Sequence, residues 1–355
     1  MEIIQPLPTK DKGFSLKSLM QHRIFAWIFK ILFAGVLFVV LYFQLFNRED
    51  LSIHTLSTEF VNNVTLQNFP FVLFVVLLMP LNWFFETRKW LSLMQNFHHI
   101  PFGYAFKAVL AGLTFSLFTP NRIGEYGGRL LMVEKDKRVL AVYATIVGSF
   151  SQWIVLVVGG WWGMMGAFYY GVIPIENLIF SILLGLGFIF SVVLFVLYFK
   201  LDVIIRLCIR FRFTRKWVSK LKRKAYYKHT KKQLLAALTF SFFRYLTYSS
   251  QYLLLLYFFG FEAGCCEIIL GIMIVYLLQT GIPLPPSTGL LARGNIALLI
   301  FGYLSSSAIA PVAILASTFS LWIINVVSPA IVGAVVLLQR GWNCSKSSLI
   351  HPAPL

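Results

Sequence analysis

The chain has 355 residues, 58% of them hydrophobic and only 12% charged, with 35 Phe, and its mean hydropathy is +0.77. An ordinary soluble domain carries about 25% charged residues to cover its surface, so the composition excludes a soluble fold, a disordered chain and a coiled coil and fits a polytopic membrane protein. The net charge of +18 is uneven, because residues 200–232 hold 13 of the 31 Lys and Arg against one acid, Asp202.

Residues 1–23 are expected to form a cytoplasmic tail, since residues 1–30 carry five basic side chains and no small-residue cleavage site follows the first apolar run. A first span over 31–46, starting as early as 24, leads to an outer loop holding Glu49, Asp50 and Glu59 against Arg48. A second span over 69–85 returns to the cytoplasm at Arg88 and Lys89. Residues 86–103 and 121–138 then fall on the same side, so the apolar run 104–118 between them is no simple span. Its 15 residues reach only about 22 Å, against a hydrocarbon core of roughly 30 Å. The economical reading is a re-entrant hairpin over 104–138 that enters from the cytoplasm, breaks at Thr119-Pro120 and returns.

Spans over 139–162 and 177–199 enclose an outer loop with Glu176 and no Lys or Arg. The basic stretch 200–232 could be a nucleic-acid site, but between two spans it reads as a cytoplasmic loop, and no nucleic-acid partner is expected. Within it, Leu201, Ile204, Ile205 and Cys208, continued by Phe213, Trp217 and Leu221, have the spacing of an amphipathic helix on the inner leaflet. The second half, 233–338, opens with a span over 236–259 that leads out to Glu262 and Glu267. Two short apolar runs, 268–282 and 296–304, flank Pro283, Pro285, Pro286 and Gly289. Parity makes 268–304 either a hairpin entering from outside or two crossings, and the proline-rich joint favours the hairpin. A last span over 308–338, with Pro311 and Pro329, places the 339–355 tail inside. The expected fold is therefore an all-α polytopic bundle, one integral membrane domain with two broken hairpins of opposite orientation. Inverted-repeat transporters have that pattern, and Pro120, Gly124 and Arg129 in the first hairpin rhyme with Pro286, Gly289 and Arg293 in the second.

The segment 119–129 is chemically the most unusual. Pro120 stops one arm, glycines including Gly124 permit close backbone approach, and Arg122, Glu125 and Arg129 lie three and four residues apart on one helix face. One carboxylate between two guanidiniums leaves net positive charge, and Arg suits bidentate phosphate binding; the alternative is a loop whose charges face water. Arg244 sits inside a span, where an Arg costs about 2.5–3.5 kcal/mol on insertion scales, so it either faces a cavity or snorkels inward. Lys107 fits an interfacial position. Gln152, Gln251, Gln279 and Asn325 fit interhelical hydrogen bonding better than ligand binding. The six His fall in loops or tails and the four Cys lack metal-ligand spacing, so no metal, cofactor or catalytic residue is assigned.

The string TPNRIGEYGGRLL resembles the transmembrane region of lysylphosphatidylglycerol synthases, a flippase-like family whose pattern is approximately Thr-Pro-Gly-Arg-x-Gly-Glu-x-x-Arg. Thr119, Pro120, Arg122, Gly124 and Glu125 match, Asn121 replaces a Gly, and Arg129 fits with a one-residue displacement. The stretch from Asn82-Trp83 to Arg88-Lys89-Trp90 is also similar. At the second family motif this chain keeps Pro285, Pro286 and Gly289 but offers Arg293 and Asn295 where the family has Glu. The resemblance implies a lipid translocator, and the departure favours an anionic head group over a lysyl one; the alternative reading of Arg293 is an Arg that snorkels to the interface.

The expected function is thus movement of an anionic phospholipid or polyisoprenoid-phosphate-linked head group between leaflets of a bacterial cytoplasmic membrane. The candidate substrate-binding residues are Arg122, Gly124, Glu125, Arg129, Arg244, Gly289, Arg293 and Asn295, with Pro120, Pro285 and Pro286 as hinges. The expected partners are membrane lipids, and a homo-oligomer stays open. The alternatives are a membrane-embedded enzyme acting on a lipid or isoprenoid phosphate, with Glu125 or Glu134 as general base, and a non-catalytic scaffold.

Overall fold

The computed structural model describes residues 68–96, 99–117, 119, 123–134, 137–201, 203, 229–280, 286–305 and 310–350, with backbone alone at 286–288 and 340–350. The expected first span, the amphipathic stretch beyond 203, and Pro120, Arg122 and Pro285 lie outside the described residues. Within them the chain is helical and has no strand: α1 (Phe69–Met94), α2 (Phe102–Leu117), α3 (Gly124–Leu131), α4 (Arg138–Tyr169), α5 (Asn177–Phe199), α6 (Lys231–Phe258), α7 (Cys265–Thr280), α8 (Pro286–Leu304), α9 (Ala310–Trp322), a π-helical segment (Ile323–Val327) and α10 (Ser328–Ile350). α1, α4, α5 and the combined run Ala310–Gln339 are long and apolar enough to cross a membrane, whereas α2, α7 and Gly289–Leu304 are apolar but shorter. α6 has 28 residues, about 42 Å at 1.5 Å each, yet its polar side chains keep it out of that set.

Local sequence explains the helix ends. α6 starts at a capping box in which the Thr230 hydroxyl accepts from the Gln233 N–H and the Gln233 side chain accepts from the Thr230 N–H. It ends at Gly260, whose φ of 77° lets Phe261 donate to the Leu256 carbonyl and Gly260 to that of Tyr257, a Schellman closure. Pro80 inside α1 deprives the preceding turn of an N–H. The Gln251 side chain donates to the Val75 carbonyl at 2.8 Å, next to the Val76 carbonyl whose helical donor would be residue 80.

α1 and α6 form the central pair and run antiparallel, since Val75 meets Gln251, Glu86 meets Arg244 and Asn96 meets Gln233. α4 runs parallel to α6, with Ser151 opposite Ser241 and Gly159 opposite Tyr245. α2 folds back along α1, pairing Phe102 with Phe84 and Phe106 with Trp83. α3 then returns along α2, and α8 returns along α7 so that Phe301 packs on Gly271. The α2–α3 and α7–α8 units are helical hairpins in both halves. Each docks on the other half. Thr114 of α2 donates to the Ala330 carbonyl of α10 at 2.8 Å, and Gly333 there leaves no room for a Cβ against Leu110. In the same manner Gly160 and Gly163 of α4 receive Leu277 and Met273 of α7. α2 runs with α4 while α7 runs against it, so the first arms of the two hairpins point in opposite directions.

Two main hydrophobic cores result among the described residues, one around Tyr252, Leu255, Ile272 and Phe301 and one around Trp90, Leu93, Ala144 and Tyr198, with a smaller cluster of Trp83, Val109, Leu110 and Leu113 beside them. Between them α1 and α6 carry polar residues. Three boundaries differ from the sequence reading. α1 does not end at 85 but continues to Met94, with Glu86, Thr87, Lys89 and Trp90 buried. Hydropathy counts Glu86 and Lys89 as an exit from the membrane, but their charges are met by one another and by other helices. α4 extends into the expected outer loop as far as Tyr169, with Gly171 at φ 69° just beyond its C-cap. The last span is interrupted by the π-helical segment centred on Asn325.

Candidate functional site, a cationic cavity between the hairpins

Glu86 is 5% exposed and binds three cations from three helices. Lys89 Nζ lies 2.7 Å from Oε2, Arg244 Nη1 donates to Oε2 at 2.5 Å, and Arg129 Nη2 donates to Oε1 at 2.7 Å. Arg129 also pairs with Glu125 one turn before it on α3. Three cations against two carboxylates leave a net positive charge in the cluster. Removing an ion of this kind from water costs several kcal/mol after relaxation, so isolated charges are not kept inside proteins. Aromatic faces contribute as well, with Trp90 5.5 Å from the Arg129 guanidinium carbon and Tyr248 5.4 Å from that of Arg244.

The cluster continues as a chain of amides. Arg244 Nε donates to Asn82 Oδ1 at 2.8 Å, Asn82 Nδ2 to Asn325 Oδ1 at 2.8 Å, and Asn325 Nδ2 to Gln251 Oε1 at 2.9 Å. Gln251 closes it at the Pro80 turn of α1. The network therefore joins α1, α6 and the π segment, where widened helical turns often accompany functional sites.

Beside this network lies a cavity of about 570 Å³ bounded by both halves of the chain. Glu86, Lys89, Glu125, Arg244 and Arg293 give it charge, Tyr126, Tyr245, Tyr248, Tyr252, Tyr276, Trp153 and Trp322 give it aromatic faces, and Gln152, Gln279, Thr280, Thr318 and Asn325 give it neutral polar groups. Its size is that of ordinary ligand sites, about 300–1,000 Å³.

Of the residues singled out by sequence, Glu125, Arg244 and Arg293 line the cavity. Arg129 is 2% exposed and stands behind the lining, holding Glu86 and Glu125 in place. Gly124 does not line the cavity but packs α3 on α2: a Cβ there would sit 2.2 Å from the Phe115 carbonyl oxygen, and its N–H donates to Thr119 Oγ1 at 2.6 Å. Gly289 is half-buried and also outside the lining. Asn295 is buried and turned to its own helix, donating to the Leu291 carbonyl at 2.9 Å. Lys107 is exposed and Glu134 is exposed. Arg244 faces inward, which resolves the choice between cavity and snorkelling. Gln251 and Asn325 make the interhelical bonds expected of them, and Gln152, Gln279 and Asn325 line the cavity too. Sequence reasoning misses Glu86, Lys89 and Asn82, and also the aromatic and hydroxyl lining, among it Tyr245, Tyr248, Tyr252, Tyr276, Thr280 and Thr318. The stretch that holds Asn82, Glu86 and Lys89 resembles the family, but by hydropathy its charges mark a cytoplasmic exit.

A family model for the lysylphosphatidylglycerol synthase TM region matches residues 27–328. The chain belongs to that family. The matched range contains every cavity-lining residue from Glu86 to Val326, so the family's transmembrane region and the cavity coincide. No curated protein matches the chain. As a lysylphosphatidylglycerol synthase TM-region protein with helices long enough to span, it is an integral membrane protein.

Proposed function

We propose that the protein is a lipid translocator of a bacterial cytoplasmic membrane, carrying an anionic phospholipid or polyisoprenoid-phosphate-linked head group through the cavity while the acyl tails stay in the bilayer. The observation that carries this reading is a net-cationic cavity bounded by two oppositely directed helical hairpins, each docked on the other half. Oppositely oriented broken elements around a central site suit re-entrant hairpins that alternate access between the two faces. The family points to lipids, and Arg293 in place of a carboxylate points to an anion. The charged groups anchor the phosphate through Lys89, Arg244 and Arg293, and Glu86 offsets the mutual repulsion of Lys89 and Arg244 when the site is empty. Glu125, one of the two general-base candidates, is tied to Arg129, and Glu134 is exposed, so no specific observation favours the enzyme reading.

Reconstitution into liposomes with fluorescent phosphatidylglycerol in both leaflets, followed by chemical quenching from outside, tests the proposal. The wild type is expected to make the protected half of the lipid accessible, and Arg244→Gln and Arg293→Gln to slow this about tenfold or more, as for loss of a charged hydrogen bond. An unchanged leaflet distribution together with chemical turnover of a lipid would support the enzyme instead.

A further inference from the structure

Four hydroxyl groups on the neutral wall of the cavity direct their protons to protein acceptors. Tyr276 Oη donates to the Tyr248 carbonyl at 3.2 Å, and Thr280 Oγ1 donates to the Tyr276 carbonyl at 2.7 Å. Thr318 Oγ1 donates to the Ile314 carbonyl at 2.8 Å, so the 2.7 Å contact between Tyr252 and Thr318 uses the proton of Tyr252. A hydroxyl has one proton and two acceptor lone pairs. Tyr252, Tyr276 and Thr280 therefore offer acceptors to whatever fills the space. Acceptors of this kind require a ligand with several O–H or N–H groups, and leaving them unmet beside a bound ligand would weaken binding.

Charge decides between hydroxyls and amines. Both carboxylates that line the cavity are engaged, Glu86 by Lys89, Arg129 and Arg244, and Glu125 by Arg129. An ammonium would meet net positive charge with no unengaged carboxylate among the lining residues. We infer that the site selects a head group that is both anionic and polyhydroxylated, a polyol or glycosyl phosphate, over a bare phosphate and over an aminoacylated, cationic head. The phosphate lies beside Lys89 and Arg244, and the hydroxyls lie against Tyr252, Tyr276 and Thr280. This inference rests on the translocator reading and names its substrate class. The cavity of about 570 Å³ falls in the range for drug-sized ligands, about 300–1,000 Å³, and is far larger than a phosphate needs.

The test is competition binding to the full-length protein in detergent micelles, with dioctanoyl phosphatidylinositol, phosphatidic acid and lysylphosphatidylglycerol displacing a fluorescent phosphatidylinositol. Phosphatidic acid carries at least as much negative charge as phosphatidylinositol, so a preference for the latter reports its hydroxyls. The expected result is phosphatidylinositol at least about tenfold tighter than phosphatidic acid, with the lysyl lipid weakest. Tyr276→Phe and Thr280→Val should each shrink the phosphatidylinositol-to-phosphatidic-acid ratio by about threefold to tenfold. Equal affinities, a ratio unchanged in both variants, or tightest binding of the lysyl lipid would overturn the inference. Movement of anionic lipids in liposomes without any hydroxyl preference would overturn this inference alone; failure to bind or move any of the lipids would overturn the translocator reading beneath it.

Discussion

Glu86 is the side chain on which the charge arrangement turns, because removing its carboxylate leaves Lys89, Arg129 and Arg244 facing one another inside the protein. Breaking a buried ion pair by deleting one partner costs about 3–5 kcal/mol. Glu86→Gln keeps the shape and a hydrogen-bonding oxygen but not the charge, so it is expected to lower the thermal midpoint in detergent sharply and to abolish lipid movement. Two residues along the same helix, Arg88 is exposed and rests 5.7 Å over the Phe84 ring. Arg88→Gln is expected to change stability by less than about 1 kcal/mol. Equal effects of the two substitutions would show that Glu86 is not a hub. A second residue-scale expectation concerns His229, 9% exposed and stacked on Tyr143 with ring centroids 5.0 Å apart. Burial pushes its pKa down to about 4, partly offset by a hydrogen bond with Gln233, from an ordinary value of about 6.5. As pH falls from about 6.5 to about 4 the unfolded chain takes up a proton that the folded chain does not, so stability drops across that window and levels off below it. Thermal melts at pH 7.5, 5.5 and 4.5 should follow this slope in the wild type, and His229→Leu should flatten it.

At the scale of elements, the α2–α3 hairpin depends on glycine at one position and tolerates it at the next. A Cβ on Gly128 would lie 2.4 Å from the Ala111 carbonyl oxygen and 2.6 Å from Gly112 Cα, whereas one on the adjacent Gly127 would meet nothing within 4 Å. Gly128→Ala must push α3 off α2, at about 1–3 kcal/mol for overpacking, and moves Arg129, the next residue, away from Glu86. Gly127→Ala instead gains helix propensity of up to about 1 kcal/mol. The first is expected to lower both melting midpoint and lipid movement and the second to leave movement intact; matched losses would mean that the hairpin contact does not position Arg129. The same element shows why the sequence was legible in some respects and opaque in others. Pro and Gly around 119–129 and 283–289 announce broken helices through their backbone chemistry, and the shortness of 104–118 follows from counting. The role of Glu86 could not be read that way. Its partners lie 43 and 158 residues away, so only the packing of α3 and α6 on α1 distinguishes a buried hub from a charge at a membrane exit. Asn295 shows the converse, since its place beside Arg293 suggests a ligand but its helical register turns the amide to the Leu291 carbonyl.

At the scale of the molecule, the two halves repeat an order of span, hairpin and long helix, and the hairpins exchange partners: α2 docks on α10 and α7 on α4. Opposite hairpin directions require that one opens toward each face of the membrane, provided the chain sits as its charge asymmetry dictates. The four native cysteines measure this without any substitution. Cys265 and Cys266 are exposed at the start of α7, in the loop that the charge pattern places outside with Glu262 and Glu267. Cys208 falls in the stretch with 13 basic residues and Cys344 in the basic tail, both expected inside. A membrane-impermeant maleimide applied to intact cells is therefore expected to modify Cys265 and Cys266 alone, read as two additions by mass, with Cys208 and Cys344 reacting only after permeabilisation. Modification of Cys208 from outside, or protection of the 265–266 pair until the membrane is opened, would place the mouth of the α7–α8 hairpin on the cytoplasmic face. Both hairpins would then have to be reached from one side, and a cavity between them could not exchange access between the leaflets by inverted, reciprocal motion.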